Sequence, residues 1–105
     1  MTQRSKVPLV PEIDAFLHEP ARLRLLAFLA VLHRADFVYL LRHSGLSRGN
    51  LSTQMTKLGD AGFVLIEKSF EQNKPRTMYQ LTDRGREALR SYKRDMTIVM
   101  EALPD

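Results

Sequence analysis

The sequence predicts a mainly α domain with one β-hairpin and a long closing helix. Three observations carry that expectation. Apolar residues recur at steps of three and four from residue 13 to residue 58. The period drops to two over residues 63–81, on either side of a polar stretch. Steps of three and four return from residue 89 to residue 103. The chain has 105 residues, enough for one core and too few for two. Residues 1–10 show no period and are expected to form a flexible arm, with the domain spanning 11–105.

Pro11 suits the first position of a short first helix, with Ile13, Phe16 and Leu17 on one face until Pro20 interrupts it. Pro20 then opens a second helix. There Leu25, Leu26, Leu29 and Leu32 form a stripe widened by Leu23, Phe28 and Val31, so this helix belongs at the centre of the core. Asp36 is an N-cap for a third helix bearing Phe37, Leu40 and Leu41, which Ser44 and Gly45 end. Leu46 packs in the turn. Ser47 caps a fourth helix, 47–61, held by Leu51, Met55 and Leu58 and closed by Gly62. Phe63, Val64, Leu65 and Ile66 begin a strand that runs on through Phe70. Residues 71–76 read as a polar turn, and Thr77, Tyr79 and Leu81 as the returning strand. Thr82 caps the last helix, about 82–103, which Pro104 stops.

Composition narrows the function. There are no cysteines, which removes disulfides, thiolate nucleophiles and cysteine-based zinc sites and fits a reducing compartment. His18, His33 and His43 lack acidic partners at ligand spacing, so no metal or catalytic role is expected, and no glycine-rich phosphate loop is present. The longest apolar run, 25–32, is eight residues, far short of a membrane span. No apolar stretch follows the charged start, so no secretory signal is expected and the place of action is read as cytoplasmic. The net charge of +4 suits a polyanionic partner.

A short helix, a tight Ser-Gly-Leu turn, a second helix and a hairpin with a cationic tip, in that order, describe a winged helix-turn-helix. The run from Leu46-Ser47-Arg48-Gly49-Asn50-Leu51 to Leu58, with Ala61-Gly62-Phe63-Val64 behind it, resembles the recognition helix of MarR/ArsR-like regulators. Ile66 through Phe70 and Lys74 through Gly85 look like their wing and the start of their last helix. The segment His18-Glu19-Pro20-Ala21-Arg22-Leu23 looks like the small, single-domain branch. The resemblance covers roughly residues 12–103. It implies a transcription regulator, usually a repressor, that acts on double-stranded DNA as a homodimer; no cofactor is expected. The metal-sensing branch uses cysteine pairs, which are absent here.

The residues argue the same way by themselves. With Leu51, Met55 and Leu58 turned to the core, the other side of the fourth helix carries Arg48, Asn50, Ser52, Thr53, Gln54, Thr56 and Lys57, behind Ser47. Asn and Gln can pair with adenine, Arg with guanine, and Ser or Thr with base edges or phosphates. Glu–Lys pairs that would stabilise a merely solvated helix are missing, and Gly49 and Gly59 each weaken it by roughly 1 kcal/mol relative to Ala. In the wing, 70–77, Lys74 and Arg76 are the expected contacts to the minor groove or backbone, although Glu71 lowers the local charge.

Leu89, Tyr92, Met96, Val99 and Leu103, broadened by Met100, form a seam of about two heptads on the last helix. It is expected to pair two chains, with fold-back onto its own domain as the alternative. The cleft between the first, second and last helices is the expected place for any small apolar effector, although no residue marks one. A protein-interaction module and a weakly specific architectural DNA binder remain the competing functions.

Overall fold

The computed structural model describes residues 9–105. The elements in chain order are α1 (Pro20–Leu32), β1 (Arg34–Asp36), α2 (Phe37–Ser44), α3 (Arg48–Asp60), β2 (Val64–Glu71), β3 (Lys74–Leu81) and α4 (Asp83–Ala102). Nearly all of the expected arm lies outside the described residues; Leu9 and Val10 are exposed.

Four of the expected boundaries rest on visible caps. Pro20 stands at the first position of α1, behind Glu19, whose carboxylate accepts the Arg22 N–H at 2.8 Å. Asp36 accepts the Tyr39 N–H at 2.7 Å and starts α2. Ser47 accepts the Asn50 N–H at 3.1 Å and starts α3. Thr82 accepts the Gly85 N–H at 3.0 Å and starts α4. Gly45 takes the left-handed conformation, φ 77°, that lets the chain turn sharply between α2 and α3.

The short first helix does not form. No α-helix precedes Pro20 among the described residues. Asp14 instead accepts the backbone N–H groups of Phe16 and Leu17, at 2.9 and 3.2 Å, and closes a single turn. A carboxylate that takes these donors offers the backbone an alternative to the helix. The apolar residues still do the expected work: Leu17 is fully buried and Phe16 packs against the core.

Leu25, Leu26 and Leu29 of α1 sit at the centre of the core, against Leu40, Leu51, Met55 and Leu58 of the next two helices. The sheet covers them with Val64, Tyr79 and Leu81. Its order is β1-β3-β2, antiparallel throughout. The third strand, β1, pairs Arg34, Ala35 and Asp36 with Gln80, Tyr79 and Met78. The hairpin is also longer than expected. The turn is only Gln72 and Asn73, both at positive φ (53° and 63°), so Glu71, Lys74, Pro75 and Arg76 belong to strands. Positive φ at both central residues is the turn geometry whose twist matches the flanking strands.

Candidate nucleic-acid interface

Residues of α3 divide sharply. Leu51, Met55 and Leu58 are buried, while Ser47, Arg48, Asn50, Ser52, Thr53, Thr56 and Lys57 are exposed. No carboxylate occurs on this face before Asp60. The backbone N–H groups of the first turn, Arg48 at its start and Lys57 in its last turn make this an anion-seeking surface. Arg48 extends over the Phe37 ring, 5.2 Å from its centroid, which steadies a long cation at the α2–α3 junction.

Gln54, grouped with that face in the sequence, is turned inward instead, at 9% exposure. Its Oε1 accepts from Arg22 Nη1 at 2.9 Å, and its Nε2 donates to Asn50 Oδ1 at 3.1 Å. It is therefore bonded to Arg22 and Asn50 rather than open to solvent. Arg22 is a participant that sequence pattern alone did not reveal.

The wing stands beside α3 across a groove of about 400 Å³ lined by Asp36, Phe37, Val38, Arg48, Pro75, Arg76 and Thr77. Arg48 and Arg76 thus share one groove. Arg76 is not a free cation: it pairs with Glu71 across the hairpin, and with Asp36 Oδ2 at 3.3 Å. The Glu71 carboxylate, then that of Asp36, raises the guanidinium pKa further above its ordinary value, so it is charged at any ordinary pH. Its Nε is enclosed without a partner. Arg76 ties the hairpin to the start of α2. Among the described residues, Arg48, Lys57 and Lys74 enter no ion pair. The most exposed apolar side chain of the wing is Phe70, at 76%, opposite Pro75. In the sequence it looks like an ordinary strand residue.

The first turn of α4 fastens onto the end of α3. Thr82 Oγ1 donates to the Gly62 carbonyl at 2.7 Å, the Thr82 N–H to the Phe63 carbonyl at 3.0 Å, and Arg84 Nε to the Ala61 carbonyl at 3.1 Å. Helix α4 itself is hardly covered: over 20 residues only Gly85 is buried. Leu89, Tyr92, Met96 and Val99 are half-buried, whereas Met100 and Leu103 are more than half exposed. Tyr92 Oη lies 2.8 Å from His18 Nδ1, so the turn before α1 touches α4. Leu89, Tyr92, Met96 and Met100 face Leu23, Ala27, Ala30 and Val31 of α1 across an open apolar groove of about 660 Å³. Among the described residues no helix is long and apolar enough to cross a membrane, and no group of three His, Asp or Glu is placed to hold a metal.

A recognition-type helix presented beside a β-hairpin, both fixed to a long terminal helix, defines a winged helix of the DNA-binding regulator type. The chain belongs to the winged helix DNA-binding domain family, whose model matches residues 21–100. It is 35% identical over 71 residues to an uncharacterised protein of Methanocaldococcus jannaschii, covering 68% of this chain and 77% of that one. Among solved structures it is similar to a transcriptional regulator homologue from Pyrococcus horikoshii, with a TM-score of 0.81 and 27% identity over 88% of this chain and 91% of that one. It shares the fold of a MarR-family regulator from Silicibacter pomeroyi, with a TM-score of 0.62 and 24% identity over 84% of this chain and 56% of the other. The family and fold are those of DNA-binding transcription regulators.

Proposed function

We propose that this protein is a sequence-specific repressor that binds double-stranded DNA as a homodimer in the cytoplasm. Each subunit lays α3 in the major groove through Arg48, Asn50, Ser52, Thr53, Thr56 and Lys57, with Ser47 and the helix N-terminus on phosphate. The wing follows the adjacent minor groove or backbone, with Lys74 as its free cation and Phe70 and Pro75 as its apolar edge. Arg76, already paired with Glu71 and Asp36, meets phosphate in competition with those carboxylates. The observation that carries this reading is the exposed, acid-free face of α3.

Dimerisation is supported by the apolar surface left open on two helices at once. A helix that is apolar on most sides is ordinarily buried, yet Val31 of α1 is 78% exposed. A second copy of α4, meeting the seam from Leu89 to Leu103, would cover that side. To read half-sites one turn of duplex apart, such a pairing would have to hold the two α3 helices about 34 Å apart. Repression then follows from occupancy of the operator.

The test is selection of bound duplexes from a random pool, with the mass of the complex measured in parallel. The proposal expects a near-palindromic motif bound by two chains, with a steep fall in affinity as salt rises. A pool that enriches no motif, or a single half-site held by one chain, refutes it.

A further inference from the structure

The inward position of Gln54 has a chemical consequence for the residue beside it. Arg22 is fixed on three sides: Nε donates to the Phe16 carbonyl at 2.7 Å, Nη1 donates to Gln54, and the guanidinium lies 4.4 Å from the Phe16 ring centroid. A guanidinium has five N–H donors and no acceptor. The Gln54 atom that faces it must therefore be the carbonyl oxygen, and the amide nitrogen is left to face Asn50. A donor needs an acceptor, so Asn50 must turn its own oxygen inward, as the 3.1 Å contact has it. The amide nitrogen of Asn50, with its two hydrogens, is what remains for the solvent side of α3.

We infer that Arg22 and Gln54 are positioning residues that fix the hydrogen-bond polarity Asn50 presents to DNA, donor outward. The inference rests on α3 being the base-reading helix. An asparagine free to rotate can pair with adenine through both amide atoms, accepting from N6 and donating to N7. With its oxygen turned inward and one lone pair held by Gln54, Asn50 presents its amide nitrogen, a donor, to the outside. It then favours bases that offer acceptors in the major groove, the O6 and N7 of guanine, the O4 of thymine or the N7 of adenine, and disfavours cytosine, which offers only N4–H. Specificity at one position of each half-site is thus set by two side chains that need not touch DNA.

Gln54→Glu tests this directly. The glutamate has nearly the same shape and keeps the Arg22 contact as an ion pair, but it has no N–H. Asn50 must then turn over, donate inward and show its oxygen outward. In the duplex selection, N50A first marks the position that Asn50 reads. At that position Q54E should move the preference from guanine and thymine, which offer only acceptors there, toward cytosine, which offers only a donor, by about tenfold in relative affinity. In the N50A background Q54E should change nothing there. Gln54→Met, which neither donates nor accepts strongly, should flatten the preference, and so should Arg22→Met. Thermal melting establishes which variants are folded, and Q54M carries the test if Q54E melts below the assay temperature. A folded Q54E or Q54M that binds with wild-type preference at every position overturns the relay while leaving the DNA-reading helix standing. A wild-type protein that enriches no motif removes the reading on which the relay depends.

Discussion

Gly85 lies where α4 leaves the sheet, and Gly85→Ala measures how closely the two elements must approach. A Cβ built at this position would stand 2.3 Å from the Phe63 carbonyl oxygen and 2.8 Å from Leu81 Cδ1. Non-bonded carbon needs roughly 3.3 Å or more from oxygen, so helix and strand must part by about an ångström. The obstacle is backbone, which cannot swing aside as a side-chain tip can. The same carbonyl accepts the Thr82 N–H, so the movement also stretches a bond that anchors α4. Overpacking costs about 1–3 kcal/mol and a weakened hydrogen bond about 1 kcal/mol. Better helix propensity returns up to about 1 kcal/mol. With the full propensity gain the net loss is about 1–3 kcal/mol, which lowers Tm by roughly 5–20 °C in a domain of this size. Thermal unfolding followed by circular dichroism reads it. Gly49→Ala is the control: nothing lies within 4 Å of its added Cβ, so it should raise Tm through propensity alone. A G85A protein as stable as wild type would refute the close-approach argument, and equal shifts in both variants would show that propensity dominates.

Glu71→Gln removes one of the two carboxylates that restrain Arg76, and should raise DNA affinity a few-fold with a steeper salt dependence, measured by fluorescence anisotropy across a salt series. Unchanged affinity and slope would detach the wing from the backbone. Met96→Glu places a charge in the apolar groove between α1 and α4. It should halve the mass seen by light scattering and weaken binding to a two-site duplex at least a hundredfold, because the second half-site is no longer linked to the first; a dimer that survives would move the interface elsewhere. Burial raises the pKa of the Tyr79 phenol above its ordinary value. The unfolded chain therefore loses this proton first. Stability is unaffected below about pH 10, the usual phenol value, and falls as pH climbs from there through the folded pKa. Tyr79→Phe should flatten that alkaline decline in denaturant titrations, and an identical decline in both proteins would show that other groups cause it.

How much of this was legible in the sequence depends on how local the deciding interaction is. Asp36, Ser47 and Thr82 were readable as caps because each acts on a backbone N–H three residues ahead. The core stripe of α3 was readable because periodicity is local too. The helix expected over 11–19 failed on an equally local rule, the competing turn at Asp14, which has the same apolar spacing behind it. The hairpin tip was drawn too wide because Gln-Asn is not the Asn-Gly pair that usually marks a two-residue turn. Strand β1 has three residues and no alternation to detect; it exists because β3 offers it an edge. Gln54 shows the limit most clearly. At 100° per residue it lies about 40° from Leu58, at the margin of the buried stripe. Whether a marginal residue is covered depends on where another helix sits, here on Arg22 of α1. The pairing of Arg76 with Asp36, 40 positions away, is invisible for the same reason.

Under the proposed function, the joint between α3 and α4 and the Arg22–Gln54–Asn50 chain should control different properties of recognition. The bonds from Thr82 and Arg84 to the carbonyls of Gly62 and Ala61 join the end of α3 to the start of α4 within a few residues. In the proposed dimer, with that joint rigid, the distance between the two α3 helices would depend on how one α4 meets the other, so substitutions in the seam at Met96 or Val99 should alter the tolerated spacing of half-sites and leave the bases read within each unchanged. The Arg22–Gln54–Asn50 chain reaches α3 from α1 on the other side and ends on a single amide. Substitutions there should alter a base and leave the spacing alone. Duplex pools that vary spacing and sequence separately can tell the two apart. A seam variant that changed base preference at constant spacing would mean that α3 turns on its joint with α4, and the rigid connection inferred from these hydrogen bonds would be wrong.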